Sequence, residues 1–464
     1  MPSTFVSFMT LLLLATVPFI GVACQAPASD SPSASARPAA SAQPPAGDQP
    51  PASSPAADSG TASDPPGSAT PGTDAGSRFV LLPSAKAKQV EAGAQHTCAL
   101  TSEGAVRCWG GSDKGQLGNG APYKTGGTPV PVQVAGLTSG VKMIAVRSEF
   151  SCAVTSAGGV KCWGLDDTGQ LGTGIPYIDS RMQASNVPVD VKGISSGAIA
   201  VSVGFSSACA IVAGGAVKCW GADESGKLGN GSTHIPGDGT PGFLPPVDVV
   251  SLTGAVQISV GGSHACAVLG TGALKCWGDN AFGALGIGTN DFTKNVPVDV
   301  TALGTDVVAV TAGGRETCAI LKSGNLKCWG QGDYGLLGDG MTGTIRHVLL
   351  PQDVLGVTGG ASSISLGNFA CAVLAGATKC WGKGAALGST DAQGFETYAP
   401  AREAVGLASG SKQVSVGLLH ACALTTAGAI KCWGGNGTGA LGNGEDDNGG
   451  TARQDQPVAV LSLP

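Results

Sequence analysis

The sequence has few charged and few aromatic residues, and both shortages narrow the class of protein. Of the 464 residues, 12% are Asp, Glu, Lys or Arg and 5% are aromatic. The formal net charge is −6, and residues 25–77 carry five Asp and one Arg, which leaves about −2 for the rest of the chain. No block of Lys or Arg is present, so the sequence lacks the basic patch with which proteins bind nucleic-acid phosphates. We therefore expect no nucleic-acid partner.

Motifs of common catalytic and cofactor sites are also missing. The chain has no His-Glu-x-x-His zinc pair, no Gly-x-x-x-x-Gly-Lys-[Ser/Thr] phosphate loop and no regular calcium loop. The clustered acids in LDDTG from Leu165 and EDDNGG from Glu445 are ordinary turn residues beside glycine. Long amphipathic helical patterns are absent too. The sequence therefore predicts no metal, no cofactor and no catalytic residue.

One segment is present seven times. HTCALTSEGAVRCWGGSDKGQLGNG, from His96, has two cysteines ten residues apart, a tryptophan after the second cysteine and a leucine nine beyond it. It returns as HACAVLGTGALKCWGDNAFGALGIG from His264 and as HACALTTAGAIKCWGGNGTGALGNG from His420. All seven tryptophans follow such a cysteine, and the copies are 51 to 57 residues apart. A period of this length indicates a repeat architecture.

Each copy has the pattern of a β-hairpin with a further strand on either side. A turn centred at Glu103 places Cys98 opposite Cys108, and alternation puts both on one face. MIAV precedes the hairpin of the second copy, and PVQV follows that of the first. Seven four-stranded sheets can cover one another when they are arranged radially. The predicted fold is all-β, a seven-bladed β-propeller of four-stranded antiparallel blades, with a linear β-solenoid as the alternative.

The pattern G-x-x-H-[ST]-C-A-L, followed by G-x-[VI]-x-C-W-G-x-[DN]-x-x-G-x-L-G, resembles the regulator of chromosome condensation repeat family over residues 78–464. The resemblance implies a propeller that binds protein, as a scaffold or an inhibitor. The sixth copy departs from the pattern, because Cys371 and Cys380 are nine residues apart. FVLL at Phe79 and PVAVLSL at Pro457 both suit the same strand position of a blade. We therefore expect one end of the chain to pair with the other and close the ring.

The cysteine pairs have three interpretations. Zinc binding is a poor match, since there is no C-x-x-C knuckle and there are five histidines in the chain. Reactive thiols would not be copied seven times, whereas hairpin disulfides suit both the spacing and an exported chain; reduced thiols in the core are the remaining alternative. The predicted disulfides are Cys98–Cys108, Cys152–Cys162, Cys209–Cys219, Cys266–Cys276, Cys318–Cys328, Cys371–Cys380 and Cys422–Cys432.

The first 24 residues have the pattern of an export signal, because an apolar run ends in small residues. Cys24 is the one cysteine outside the pairs, and GVAC resembles the lipobox of bacterial lipoproteins, so we predict that Cys24 is lipidated. An ordinary cleaved signal and an uncleaved anchor helix are the alternatives. Residues 25–77, rich in Pro, Ala and Ser, predict a disordered linker before the propeller at 78–464. The expected location is the cell envelope, with a lipid anchor as the membrane contact, or otherwise secretion.

Histidines 96, 264 and 420 share one repeat position, where other copies have Phe150, Ser207, Glu316 and Phe369. A position that accepts such different side chains predicts packing or capping, and not a catalytic base. His234 and His347 are expected in irregular, solvated loops.

The sequences of the seven copies differ between each Leu-Gly pair and the next strand. Variable loops that occupy one repeat position would together form a composite binding face. Aromatic and arginine side chains on such loops are usual interface anchors. The expected partner is a protein, with a glycan as the alternative; a propeller enzyme acting on cell-envelope or extracellular polysaccharide, and a purely structural surface protein, are the alternative functions. The candidate binding residues are Tyr123, Lys124, Tyr177, Arg181, Phe243, Phe292, Lys294, Arg346, His347, Phe395 and Tyr398.

Overall fold

The computed structural model describes residues 85–175, 183–232, 242–341, 343, 346–382, 399–446 and 453–463. Their strands pair into seven four-stranded sheets, each antiparallel and each with its strands in chain order. First strands of successive sheets contact one another, and β1 contacts the first strand of the last sheet. This confirms the seven-bladed β-propeller. The predicted domain bounds stay predictions, since the description begins at residue 85.

The first four blades take up the chain from residue 87 to residue 299. Blade 1 contains β1 (Ala87–Ala92), β2 (His96–Thr101), β3 (Val106–Ser112) and β4 (Lys124–Gln133). Blade 2 contains β5 (Val141–Arg147), β6 (Phe150–Thr155), β7 (Val160–Leu165) and β8 (Ala184–Asp190). Blade 3 contains β9 (Ala200–Val203), β10 (Ser207–Val212), β11 (Ala216–Ala222) and β12 (Phe243–Asp248). Blade 4 contains β13 (Ala255–Val260), β14 (His264–Leu269), β15 (Leu274–Asp279) and β16 (Thr293–Asp299).

The last three blades follow the same order. Blade 5 contains β17 (Val307–Ala312), β18 (Glu316–Leu321), β19 (Leu326–Gln331) and β20 (His347–Asp353). Blade 6 contains β21 (Ala361–Leu366), β22 (Phe369–Leu374), β23 (Ala377–Gly382) and β24 (Ala399–Glu403). Blade 7 contains β25 (Ser411–Val416), β26 (His420–Thr425), β27 (Ile430–Gly435) and β28 (Arg453–Ala459). Short 3-10 turns occur at Ala213–Gly215, Thr301–Leu303 and Asp333–Gly335.

The hairpin register is the predicted one, and it explains the cysteine spacing. Cys98 faces Cys108 across β2 and β3, and Leu100 faces Val106. Facing residues lie close enough for a disulfide, and all seven predicted pairs are bonded, with Cα atoms 4.0 to 4.1 Å apart. The cysteines of all seven pairs are buried. The seven predicted disulfides are therefore present, including the nine-residue pair of blade 6.

The Cys-Trp-Gly triplet builds the contact between one blade and the previous one. In blade 2 the indole N–H of Trp163 donates to the carbonyl of Gln116 at 3.0 Å, and Leu117 is buried beside it. Gly118 has φ +62°, and a Cβ there would lie 2.7 Å from the Trp163 ring. Only glycine suits both constraints. The pattern Leu-Gly in one copy and Trp in the next is thus an interlock between blades.

The ring closes through the same interlock. The indole N–H of Trp109 donates to the carbonyl of Ala440 at 2.9 Å, and Gly442 lies against that ring. β28, which contains the start of the PVAVLSL segment at Pro457, pairs with β27 as the outermost strand of blade 7. Of the two candidate segments for this position, the C-terminal one therefore occupies it. The other candidate, FVLL at residues 79–82, lies outside the described residues. A bond from the N–H of Ala85 to the carbonyl of Leu463, at 3.1 Å, joins the two described ends.

The first strand of every blade lines a central channel. Neighbouring first strands are tied by side chains that reach the backbone of the next blade. Gln89 exchanges two hydrogen bonds with Ile144, and Gln413 does the same with Val90. Ser415 accepts a bond from the N–H of Ala92. Amide and hydroxyl groups thereby satisfy backbone groups that no strand partner reaches.

Candidate functional site

Two sets of connections share one side of the propeller. In an antiparallel four-stranded blade, the connections after the first and third strands leave from the same side, and the hairpin turns leave from the opposite side. We call the first side the loop face. The variable loops follow the third strands, so they lie on the loop face. The connections after the first strands surround the central channel on that same face.

A cavity of about 430 Å³ opens where the channel meets the loop face. We call it the channel mouth. Its apolar wall consists of Phe205, Tyr334, Leu336, Leu366, Val416 and Leu418, and its charged groups are Arg147, Glu316 and Asp333. A volume of this size lies within the range of about 300–1,000 Å³ typical of ligand pockets.

Arg147 forms the floor of the channel mouth. It ends β5 in blade 2, and its two terminal nitrogens donate across the channel to the carbonyls of Ala312 and Leu366, each at 3.2 Å. These carbonyls end the first strands of blades 5 and 6. The guanidinium carbon lies 5.3 Å from the centre of the Phe205 ring. One side chain therefore joins four blades.

Two glutamates flank this arginine, Glu91 half-buried and Glu316 buried. Glu91 accepts hydrogen bonds from Gln89, Gln413 and Ser415 at 2.9 to 3.1 Å, yet burial raises its pKa to about 6. Glu316 accepts bonds from the backbone N–H groups of Gly314 and Arg315, at 3.0 and 2.9 Å. Burial raises its pKa as well, and these bonds and the nearby Arg147 oppose the rise.

The blade 5 side of the mouth also has a strained aromatic residue. Asp333 accepts hydrogen bonds from the N–H of Arg346 at 3.0 Å and from the Gln331 amide at 2.6 Å, which fixes the loop. The next residue, Tyr334, has φ +60° and is partly exposed. Positive φ is rare for a bulky residue, and such strain concentrates at functional sites.

Exposed apolar side chains border the mouth. Phe205 is 46% exposed and Leu418 is 41% exposed, and both lie in short connections after a first strand. On the blade 5 side, the guanidinium of Arg315 lies 4.4 Å from the centre of the Phe282 ring. The centre of the His347 ring lies 4.7 Å from the centre of the Phe282 ring, with the two rings nearly perpendicular. Aromatic, aliphatic and arginine groups therefore cluster on the loop face.

Two predicted binding residues are exposed on this face. Phe292 is 81% exposed in the blade 4 loop. Tyr123 is 52% exposed, and its hydroxyl donates to the carbonyl of Ala184 in blade 2 at 2.9 Å. Lys124 is the first residue of β4. Tyr177, Arg181, Phe395, Tyr398 and the predicted lipidation site Cys24 lie outside the described residues.

Three further predicted binding residues are engaged by neighbouring side chains or backbone, and a fourth, His347, is exposed. Phe243 is half-buried and packs against Gly169 of the neighbouring blade. Lys294 forms an ion pair with Asp291. Arg346 forms one with Asp339. His347 is exposed as expected, but it begins β20, so its placement in an irregular loop was wrong.

The residues of the channel mouth were not among the binding residues predicted from the sequence. Arg147, Phe205 and Leu418 lie in or beside the short connection between Gly93 and His96 of the first copy and its equivalents. This connection reads AQ, SE, FS, GS, GR, N and LL in the seven copies. The variation between copies that marked the longer loops was present here too, and it would have identified the mouth.

The shared histidine position is a packing site between blades, as predicted. His96 Nε2 lies 2.9 Å from Ser151 Oγ of the next blade, and His264 Nε2 lies 2.8 Å from Thr317 Oγ1. Burial lowers the pKa of His96 and His264 to about 3 and that of His420 to about 4. These side chains are therefore neutral at pH 7.

The partner of this position changes together with it. Each histidine meets a hydroxyl of the following blade, and His420 meets Thr97 across the closing interface at 2.8 Å. In the copies with Phe150, Ser207, Glu316 or Phe369, the residue before the first cysteine of the next copy is alanine. A hydroxyl occurs only where a histidine can bond to it, as expected for buried polar groups.

Neither a metal cluster nor a membrane-spanning helix is found in the part of the chain that the structure describes. There, no three His, Cys, Asp or Glu side chains are grouped to hold a metal ion. No helix among the same residues is long and apolar enough to cross a membrane.

Two family models match the sequence. The model of the RCC1-like domain matches residues 68–402, and the model of the regulator of chromosome condensation (RCC1) repeat matches residues 412–440. Together the two matches span most of the propeller.

Similar proteins include two curated relatives. The human E3 ubiquitin-protein ligase HERC2 is 30% identical over 365 residues, which are 77% of this chain and 6% of HERC2. The ultraviolet-B receptor UVR8 of Arabidopsis thaliana is 32% identical over 260 residues, which are 54% of this chain and 55% of UVR8. The chain thus spans a small part of the first relative and about half of the second.

Two solved structures show the same fold at low identity. Human WBSCR16 has a TM-score of 0.52 at 19% identity, covering 82% of this chain and 83% of that one. Yeast RCC1 (Prp20), solved with Kap60 bound, has a TM-score of 0.51 at 20% identity, covering 80% and 74%. Identities this low support the fold alone.

Proposed function

We propose that this chain, which belongs to the family of RCC1-like domains, is a non-catalytic module that binds another protein on its loop face. The observation that carries the proposal is the loop face itself. The variable loops and the channel mouth open on the same side, and both present exposed apolar side chains. Exposed aromatic residues around a pocket are usual anchors of protein interfaces.

Related propellers support a protein partner. The structure of yeast RCC1 contains bound Kap60, and Prp20p has been studied for its binding to Gsp1p and histones. Those partners belong to those proteins. What transfers to this chain, as a proposal, is the use of the propeller as a binding surface, with the partner's identity open.

The carboxylates at the mouth favour binding over catalysis. Glu316 and Asp333 each accept hydrogen bonds from the backbone of their own loops. Such bonds hold the loops in place and reduce the freedom of these groups to act as acid and base. A polysaccharide-active enzyme is therefore the weaker proposal, and a glycan remains an alternative ligand.

We also propose that the protein is exported and anchored in the cell envelope through a lipid on Cys24. The seven disulfides support an oxidising compartment. A chain from residue 25 to residue 77 would hold the propeller away from the membrane. Replacing Cys24 with Ser should release the protein from membranes. Unchanged membrane association of the variant would instead indicate an uncleaved helix.

Binding by the loop face can be tested by capture with the full-length oxidised protein and two variants. The first variant carries Tyr123→Ala and Phe292→Ala on the loop face. The second carries Glu103→Ala and Ser323→Ala in hairpin turns of the opposite face. The proposal predicts that a specific protein is retained by wild type and by the second variant but lost from the first. Loss from the second variant alone would refute the loop-face assignment, and capture of a glycan alone would refute the protein partner.

A further inference from the structure

The channel mouth combines an apolar wall with an excess of negative charge. Among the described residues that line it, Glu316 and Asp333 are acidic and Arg147 is basic. Arg147 interacts electrostatically with Glu316 and, on the channel side, with Glu91, and both of its donating nitrogens are held by backbone carbonyls. The single positive charge of the floor is therefore shared by two glutamates, and Asp333 adds a further negative charge to the mouth.

The other basic groups of this region are engaged away from the cavity. The Arg315 guanidinium lies over the ring of Phe282. Arg346 forms its ion pair with Asp339. Asp333 thus accepts hydrogen bonds from the backbone N–H of Arg346 and the Gln331 amide and forms no ion pair with Arg315 or Arg346, whereas Glu316 shares Arg147 with Glu91. A cation entering the mouth would supply Asp333 with an ion-pair partner.

The apolar part of the wall suits the stem of a long basic side chain. Leu418 offers exposed aliphatic surface, and Phe205 and Tyr334 offer exposed aromatic rings. Lysine and arginine bury their methylene stems along apolar surface while the charged head reaches a polar group. Aromatic rings stabilise such a head further.

We propose that the channel mouth receives a lysine or arginine side chain of the protein partner, with the stem against Leu418 and Phe205 and the charged head toward Asp333 and Glu316. The inference rests on the proposed function and names the chemistry of the partner. The strained Tyr334 holds its ring at the cavity as part of this site. Relaxing its backbone should therefore weaken binding without weakening the fold.

Three short peptides test the charge preference on the full-length protein. They are acetylated and amidated Gly-Lys-Gly, Gly-norleucine-Gly and Gly-Glu-Gly, followed through the methyl NMR signals of Leu366, Val416 and Leu418. The lysine peptide should shift these signals and bind at least about tenfold more tightly than either of the others. Tighter binding of the glutamate peptide would overturn the inference, as would methyl signals that stay unmoved by the lysine peptide.

Variants identify the groups responsible. Asp333→Asn and Glu316→Gln should each weaken the lysine peptide by about tenfold and leave the norleucine peptide unchanged. Tyr334→Gly should weaken it while the thermal midpoint stays the same or rises. Glu103→Gln, on the opposite face, is the matched control and should change nothing. If Asp333→Asn binds as wild type does, the assignment of the head group is wrong.

The peptide and capture experiments fail separately. Lysine binding at the mouth without any captured protein would leave the pocket chemistry intact and refute the proposed function. Capture of a protein through the loop face, together with no binding of the lysine peptide at the channel mouth, would support the proposed function and refute this inference.

Discussion

The interfaces between blades and the channel mouth are built from the same seven copies, yet they use their polar groups in opposite ways. At an interface, the indole of Trp163 and the imidazole of His96 each meet one partner in the neighbouring blade, and both are buried and neutral. At the mouth, charged groups from blades 2 and 5 line an open cavity. Positions that agree between copies, or that change together with their partner, hold the ring, and Glu316 is the exception that also lines the mouth. Positions that vary singly are available for binding.

Removing an interface tryptophan should have the largest effect. Trp109→Ala at the closing interface and Trp277→Ala at an internal one should each lower the free energy of unfolding by about 3–5 kcal/mol, because each leaves a cavity and removes a hydrogen bond between blades. Urea unfolding of the oxidised protein measures the loss. Equal losses are expected because both indoles donate to a carbonyl of the preceding blade. A Trp109 variant of wild-type stability would show that the ring is not closed by this contact.

The buried histidines should make the interfaces sensitive to acid. The pKa of His96 is about 3 in the folded state and 6.5 in the unfolded state. The contribution of neutral His96 to the free energy of unfolding is therefore complete above pH 6.5 and is lost as the pH falls towards 3. The loss at pH 5 is up to about 2 kcal/mol for each such histidine.

The double variant His96→Phe with Ser151→Ala copies the Phe150 and Ala208 pair and should remove one histidine's share of that loss. Unfolding free energies at pH 7 and pH 5 provide the measurement. An unchanged difference between the two pH values would contradict neutral burial of His96.

Glu91 in the channel should act with the opposite sign. Its folded-state pKa is about 6 against 4.5 when exposed, so its contribution is complete below pH 4.5 and is lost as the pH rises through 6. Glu91→Gln should therefore stabilise the protein at pH 7 by about 1–2 kcal/mol and have little effect at pH 4. Chemical unfolding at both pH values tests this. A variant less stable than wild type at pH 7 would mean that the ionised carboxylate supports the fold.

Replacing exposed residues of the loop face should change stability least. Phe292→Ser and Leu419→Ser should leave the unfolding free energy within about 0.5 kcal/mol of wild type, because these side chains face solvent. Thermal and urea midpoints would show it. A large loss at either position would place that residue in the framework and remove it from the binding surface.

Much of the framework could be predicted because its signals repeat along the chain. The ten-residue cysteine spacing determined the register of Cys98 with Cys108, and the Leu-Gly and Trp pattern marked the blade contacts. The mouth could not be predicted in the same way. Arg147 reaches carbonyls 165 and 219 residues further along the chain, and no local pattern indicates that blades 2, 5 and 6 meet there. The longer variable loops were selected by composition, and several of their side chains, such as Lys294, are occupied by neighbours.

Photo-crosslinking in the producing cells tests most directly whether the variable positions form the binding surface. A photoreactive phenylalanine analogue replaces Tyr123 or Phe292 on the loop face, or Glu103 or Ser323 in the hairpin turns of the opposite face, in the full-length protein. We predict a discrete protein adduct from the two loop-face positions and none from the hairpin turns. Adducts from Glu103 and Ser323 alone, or equally from all four positions, would contradict the assignment of binding to the loop face.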